Sequence, residues 1–561
     1  MSETVDLTIH GTLVDVLTGS LRETTVAVDD GEVVALGDRP AGREIEANYI
    51  APGLIDAHVH VESSMVTPSR YGNAIVPSGV TGVIADPHEI GNVCGVAGVQ
   101  AMIEDATHTP LKLSFVAPSS VPASHLQDGG ATIGVEGIET LLDEADVVAL
   151  GEVMDIPGLV AGDKTVHTKI EAARERGMTV DGHLPRVTGS DLQEAARYLD
   201  TDHESASVEE ALEKLRAGLR VYMREGSSSH NLGDLLELLN RPDVDSRRLS
   251  LCSDDRDVVD LVEEGSVDYS VKQATDHGVD PVEAVQLATI NTAESYGLPT
   301  GRVAPGAPAD MVLLDDLESW DVAHVLVDGV VDPTAGGDGP PPTPIPTETT
   351  TFDPVEASDL AVNHDGPGPV HARIIDASGP MQTWEIEREL PVVDGPGEDG
   401  IVAPEPDRDV LRLSVIERHG GNGTVGNGFV YGFGIERGAV GMTVAHDAHN
   451  CLVAGASHEA MARVANRLRE VGGGLVAFDP ETGTVQTLEL PAGGLMSEKP
   501  LSAVTDRFRA VESVAERIGL DHDGGIHAMS FLALEVIPQV RLTNNGLVNV
   551  DDYEYVDVVI E

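Results

Sequence analysis

Between residues 52 and 298 the chain repeats one pattern: a short apolar run, a polar cluster at its end, then a stretch with helical spacing. The runs fall at 53–56, 80–85, 111–116, 147–150, 178–180, 198–201, 219–223 and 248–252. Eight apolar strands alternating with helices predict an α/β fold whose centre is a (β/α)8 TIM-like barrel spanning 52–298. Residues 1–50 instead alternate apolar and polar positions, as in Val5-Asp6-Leu7-Thr8-Ile9, between Asp-Gly and Thr-Gly turns, which reads as a small antiparallel sheet. Similar strands return at 309–314 and 324–329, so residues 1–51 and 299–332 are expected to form one small β-sandwich domain from both flanks. A Pro/Gly-rich stretch over 333–354 reads as a linker. Residues 355–561 are expected to be a C-terminal α+β domain, in which Met461, Val464, Ala465, Leu468 and Val471 mark an amphipathic helix.

Charge narrows the partners. Asp and Glu number 95 against 35 Lys and Arg, a formal net charge of −60. This argues against nucleic acid as a main partner, whose phosphates must be met by clustered cations, and against an anionic membrane surface. Hydrophobic residues at 41 % are enough for real cores, so the acids are read as a solvated surface. Scattered acids, six lysines and 3 % aromatics resemble the salt-adapted cytoplasmic proteins of extreme halophiles. Cys94, Cys252 and Cys451 form no disulfide framework. The N-terminus lacks the basic and apolar regions of a signal peptide, and no apolar run is long enough to span a bilayer, so a cytoplasmic location is expected.

The expected strand ends carry the chemistry. The first closes on Asp56-Ala57-His58-Val59-His60, and residues two apart on a strand point the same way, so both imidazoles face one site. Two nitrogen ligands on one face suit Zn, Fe or Mn. The fourth strand ends at Glu152, the fifth at His183, the sixth at His203 and the eighth at Asp254-Asp255. Alone, each has a plain reading as a buried, hydrogen-bonded side chain or a helix cap. Together they supply four histidines, a glutamate and an aspartate, a ligand set for two divalent metals.

These motifs resemble the amidohydrolase superfamily, and the longer ones resemble its adenine deaminase family. The resemblance rests on residues 52–65, on Asp86-Pro87-His88-Glu89-Ile90-Gly91-Asn92-Val93, on Gly151-Glu152-Val153-Met154 and on 224–228. Gly426-Asn427-Gly428-Phe429-Val430 and 445–450 extend it into the C-terminal part. Urease-like and hydantoinase-like members bridge their metals with a carboxylated lysine, whereas Glu152 stands at that position here. The resemblance implies hydrolytic deamination of adenine to hypoxanthine, with two Mn2+ or Fe2+ ions held by His58, His60, Glu152, His183, His203 and Asp254; the ligand types also permit Zn2+. It implies a proton shuttle at Asp254, with Asp255 the competing carboxylate. Glu89 is a second candidate for proton transfer, against a helix-capping role.

Substrate contacts are expected among His88, Glu62, Ser227, Ser228, Asp255, His446 and His449. Each has a structural alternative: Glu62 in orienting ligands, the serines in capping a helix, and His446 with His449 in a hydrogen-bonded cluster. Arg224 stands even between substrate contact and a salt bridge. The glycines of 420–426 lack the Gly-Lys-Ser/Thr ending of a phosphate loop and read as a hairpin turn. The substrate expected is free adenine and the assembly a homodimer. The alternative is an amidohydrolase of another cyclic amide or an amino sugar.

Overall fold

In the computed structural model of the chain, the apolar runs of the central segment become eight parallel strands. Five lie in one sheet in chain order: Leu54–Val59, Val80–Ala85, Lys112–Ala117, Val147–Val153 and Thr179–Gly182. Thr201–Asp202, Arg220–Arg224 and Leu249–Cys252 form a second parallel sheet. Their side chains are buried almost throughout, as expected of parallel strands covered on both faces. Ala57, Ile84, Val116, Ala149, Tyr222 and Cys252 pack into one apolar cluster. Backbone hydrogen bonds also join strands of different sheets. Asp254 N, just past the eighth strand, donates to His58 O of the first at 2.9 Å, and Asp200 N donates to Val180 O at 2.9 Å between the fifth and sixth.

The sixth strand is shorter and later than its apolar run suggests. Tyr198 N and Leu199 N both donate to Ala195 O, so these residues still belong to the last turn of the preceding helix. Beside this strand Lys214 Nζ lies 2.9 Å from Asp202 Oδ2 with both side chains fully buried. The flanking segments share a single seven-stranded sheet, not the two packed sheets of the expected sandwich, and Val5–Asp15 pairs with Ala41–Pro52 in parallel, so the sheet is mixed and not wholly antiparallel. Its strands run in the order Val330–Val331, Asp321–Val327, Met311–Asp316, Ala41–Pro52, Val5–Asp15, Ser20–Asp29 and Glu32–Leu36.

Residues 4–333, 341–366, 368–379, 382–394 and 400–560 are described by the structure, so 334–340 of the expected linker lie outside the described residues. The chain divides into two units. Met1–Pro87, Gln100–Ser120 and Gly134–Pro344 make one; His88–Val99, Val121–Ile133 and Ile345–Glu561 make the other.

The second unit is built on a nine-stranded sheet packed by helices His458–Val471 and Leu501–Arg517. Met461, Val464, Ala465 and Leu468 are buried on the first helix, at the spacing the sequence shows, and Val471 is half-buried. The glycine-rich segment joins the antiparallel strands Val410–Ile416 and Val425–Tyr431. It wraps a carboxylate of its own: Glu417 Oε1 accepts from His419 N at 2.5 Å, and Oε2 from Gly421 N and Gly423 N at 3.0 Å each. Asp128 is held in a related way, its Oδ2 accepting amide N–H groups from Asn422, Asn544 and Asn545 at 2.9, 2.9 and 3.1 Å. Among the described residues, no helix is long and apolar enough to cross a membrane.

Candidate metal centre

The first parallel strand carries His58 near its end and delivers His60 just beyond it, both buried. His60 Nδ1–H donates to Asp86 O at 3.0 Å, which orients the ring and turns Nε2 inward. That nitrogen lies 3.2 Å from His58 Nε2, 3.0 Å from Asp254 Oδ1 and 3.6 Å from Glu152 Oε1. His203, stacked on His58 at 4.0 Å between ring centres, places Nε2 3.3 Å from Glu152 Oε2. His183 Nδ1 stands 2.6 Å from the same oxygen. The His58 Nδ1 atom is buried without a hydrogen-bond partner among the described residues.

This donor set fits divalent cations. Within each of the trios His58–His60–Glu152, His58–His203–Asp254 and Glu152–His183–His203, one ligand atom per residue lies within 4.8 Å of the others. Glu152, His58 and His203 each belong to two trios, so the six side chains can serve two ions. Imidazole nitrogens mixed with carboxylate oxygens suit Mn, Fe and Zn alike.

Asp254 is placed by its backbone. Its φ of 56° puts a non-glycine residue in the left-handed region, a conformation costing about 1 kcal/mol or more that persists where surroundings enforce it. The enforcement is visible: Asp254 N donates to His58 O at 2.9 Å and Asp254 O accepts from His60 N at 3.1 Å. Arg224, ending the seventh strand, donates from Nη1 to Asp254 Oδ2 at 2.6 Å and also binds Glu204. Burial pushes the Asp254 carboxyl up, but Arg224 and His60 outweigh it and hold the group well below the usual carboxylate range. Glu152 is held low in the same sense, burial being outweighed by His183 and His203.

A supporting layer surrounds the ligands. Asp86 Oδ2 accepts from Glu152 N at 3.0 Å. Asp56 accepts from Ser253 Oγ at 2.6 Å and Ser253 N at 3.0 Å, and burial pushes its carboxyl up to about 7. Neither carboxylate stood out in the sequence, although both lie inside motifs, Asp86-Pro87-His88-Glu89 and Asp56-Ala57-His58. Glu204, which immediately follows His203, carries no distinguishing signal of its own in the sequence.

The remaining candidates separate. Asp255 accepts from Ser63 Oγ while Asp254 meets the histidines. Glu62 is buried. Ser227 Oγ accepts from Asp257 N at 2.9 Å and donates to Asp260, and Ser228 is half-buried in the same loop. In the second unit, Glu89 accepts His446 Nδ1–H at 2.5 Å on one oxygen and His449 Nε2–H on the other. His449 Nδ1 accepts Ala445 N–H at 3.1 Å, so its proton sits on Nε2. Both imidazoles therefore donate, and this trio is a hydrogen-bonded carboxylate, although its donor atoms lie close enough for an ion. His88 Nε2 stands 3.5 Å from Glu89 Oε1. Burial pushes Glu89 up, but His446, His449 and His88 outweigh it and hold the carboxyl well below its ordinary value.

Residues 49–332 match the amidohydrolase family and residues 383–554 the adenine deaminase C-terminal domain. Over 559 residues the chain is 42 % identical to an adenine deaminase of Methanothermobacter thermautotrophicus, covering 97 % of this chain and 98 % of that protein. The chain belongs to the adenine deaminase family. An adenine deaminase of Desulfatibacillum aliphaticivorans is 38 % identical over 553 residues, covering 97 % of this chain and 95 % of that one. Among solved structures, the beta-aspartyl dipeptidase of Fervidobacterium islandicum AW-1 aligns at a TM-score of 0.46 and 17 % identity, over 59 % of this chain and 98 % of that chain.

Proposed function

We propose that this chain hydrolyses adenine to hypoxanthine and ammonia, one water entering at C6 and the amino group leaving. The observation that carries the reading is the convergence of His58, His60, Glu152, His183, His203 and Asp254 in a chain of this family. These six residues would hold two divalent ions, Mn2+ or Fe2+, with Zn2+ also suited to the donors. Bound there, such ions supply Lewis acidity that makes water a competent nucleophile at neutral pH.

The chain's own residues handle the protons. Asp254, kept ionised by Arg224, accepts a proton from the attacking water and delivers it to the purine or to the departing amino group. Glu89, fixed by His446 and His449, is the second proton-transfer candidate. Glu62, His88, Ser227, Ser228, Asp255, His446 and His449 are proposed substrate contacts. We read the eight parallel strands as one closed barrel, a reading supported by the backbone bonds at both gaps between the sheets. Residues 1–51 with 299–332, 52–298 and 355–561 are proposed as three domains, in a cytoplasmic homodimer adapted to high salt.

The test is an assay of the chain reconstituted with Mn2+ or Fe2+ in high salt, following loss of adenine absorbance. Turnover of a dihydropyrimidine or an N-acetyl sugar without turnover of adenine would overturn the proposal.

A further inference from the structure

Glu152 is held through its peptide groups as well as its carboxylate. Its N–H goes to Asp86, and its carbonyl accepts from Ser119 Oγ at 2.6 Å. Gly151 makes this close packing possible: a Cβ there would stand 2.5 Å from Asp86 Oδ2 and 3.1 Å from Ala117 O. Ser119 is itself tied down, because its carbonyl accepts from Lys169 Nζ at 2.6 Å.

Lys169 is an expensive residue to place there. It lies in helix Lys164–Glu175 with 9 % exposure, and the Ser119 carbonyl is the one hydrogen-bond partner of its ammonium among the described residues. An ammonium carries three donors, and burying it against one neutral oxygen leaves much of its lost hydration uncompensated. An apolar side chain of similar length would serve the helix packing better. Burial accordingly pulls the Lys169 pKa down.

We propose that Lys169 and Ser119 are positioning residues for Glu152. The ammonium anchors the Ser119 peptide, the Ser119 hydroxyl anchors the Glu152 carbonyl, and the carboxylate is thereby aimed at the histidines. The inference rests on the reading of Glu152 as a metal ligand.

The experiment measures Mn2+ affinity by chelator competition and the melting temperature of the metal-free chain, for wild type and the variants Lys169→Met, Lys169→Arg, Ser119→Ala and Glu152→Gln. Lys169→Met is expected to keep or raise the melting temperature while weakening Mn2+ binding about 10- to 100-fold, the range typical of groups that orient ligands. Ser119→Ala is expected to weaken binding similarly, and Lys169→Arg, which still donates to a carbonyl, to recover most of it. Wild-type affinity in both Lys169→Met and Ser119→Ala, with binding lost in Glu152→Gln, overturns the inference alone. A lowered melting temperature with unchanged affinity in Lys169→Met does the same, by making the lysine purely structural. Full binding by Glu152→Gln overturns the ligand reading and the inference with it. Should Lys169→Met fail to fold, Ser119→Ala decides.

Discussion

Arg224 and Asp254 form a buried ion pair, Nη1 to Oδ2 at 2.6 Å, and the same guanidinium binds Glu204. Replacing Arg224 by methionine leaves two neighbouring carboxylates without their cation, so Asp254 takes up a proton at higher pH than before. The acid limb of the kcat/KM profile is expected to move to higher pH. The rate at neutral pH is expected to fall by about 10²–10⁴, the range for a positioned acid–base group. A pH–rate profile of Arg224→Met that matches wild type would remove Arg224 from the proton-handling machinery.

Lys214 and Asp202 make the second prediction, on stability. Lys214→Met strands the fully buried Asp202 carboxylate, which keeps hydrogen bonds from Leu184 N and Ser205 Oγ but loses its counter-charge. Breaking a buried pair from one side is expected to cost about 3–5 kcal/mol. Denaturant titration of the chain checks this, and a shift below about 1 kcal/mol would show that the two hydrogen bonds suffice.

Glu535 predicts a pH dependence. Burial, with Asp447 nearby, pushes its carboxyl from 4.5 up to about 7, and Ser124 Oγ donates to it at 2.8 Å. The folded chain therefore binds an extra proton between those values, and stability falls as pH rises through that window. Above it the penalty is complete. Glu535→Gln keeps an acceptor for Ser124 and removes the penalty, so the variant is expected to gain up to about 3 kcal/mol at pH 8 and little at pH 4.5. Equal gains at both pH values would refute the assignment.

The net charge of −60 predicts a dependence on ionic strength. Charge repulsion reaches about 3 Å at 1 M salt and about 30 Å at 0.01 M. Melting temperature is expected to fall steadily as KCl is withdrawn, and full stability in dilute buffer would contradict that expectation.

How much was legible follows physical lines. His58, His60, Glu152, His183, His203 and Asp254 could be found because each ends an apolar run, and strand ends are where parallel sheets present side chains. The choice between Asp254 and Asp255 was not legible, since it turns on a left-handed φ that sequence patterning does not record. Asp86, Ser119 and Glu204 were missed because their partners are distant in sequence or defined only by a turn of the backbone. The sixth strand began late because the preceding helix kept Tyr198 and Leu199. Nor did apolar spacing reveal that His88–Val99 and Val121–Ile133 group with the C-terminal part, because periodicity identifies a buried face without naming what covers it.

Asp128 and Glu417 show how a chain so short of cations can steady its acids. Three asparagine amides serve one, and three backbone N–H groups serve the other. Such donors are neutral and local, so dissolved ions compete with them far less than with a lysine or arginine across a gap. They also carry no proton to lose near neutrality. Such fastenings are expected to hold in brine and in fresh water alike, so loss of stability on dilution is expected to come from the rest of the acidic surface.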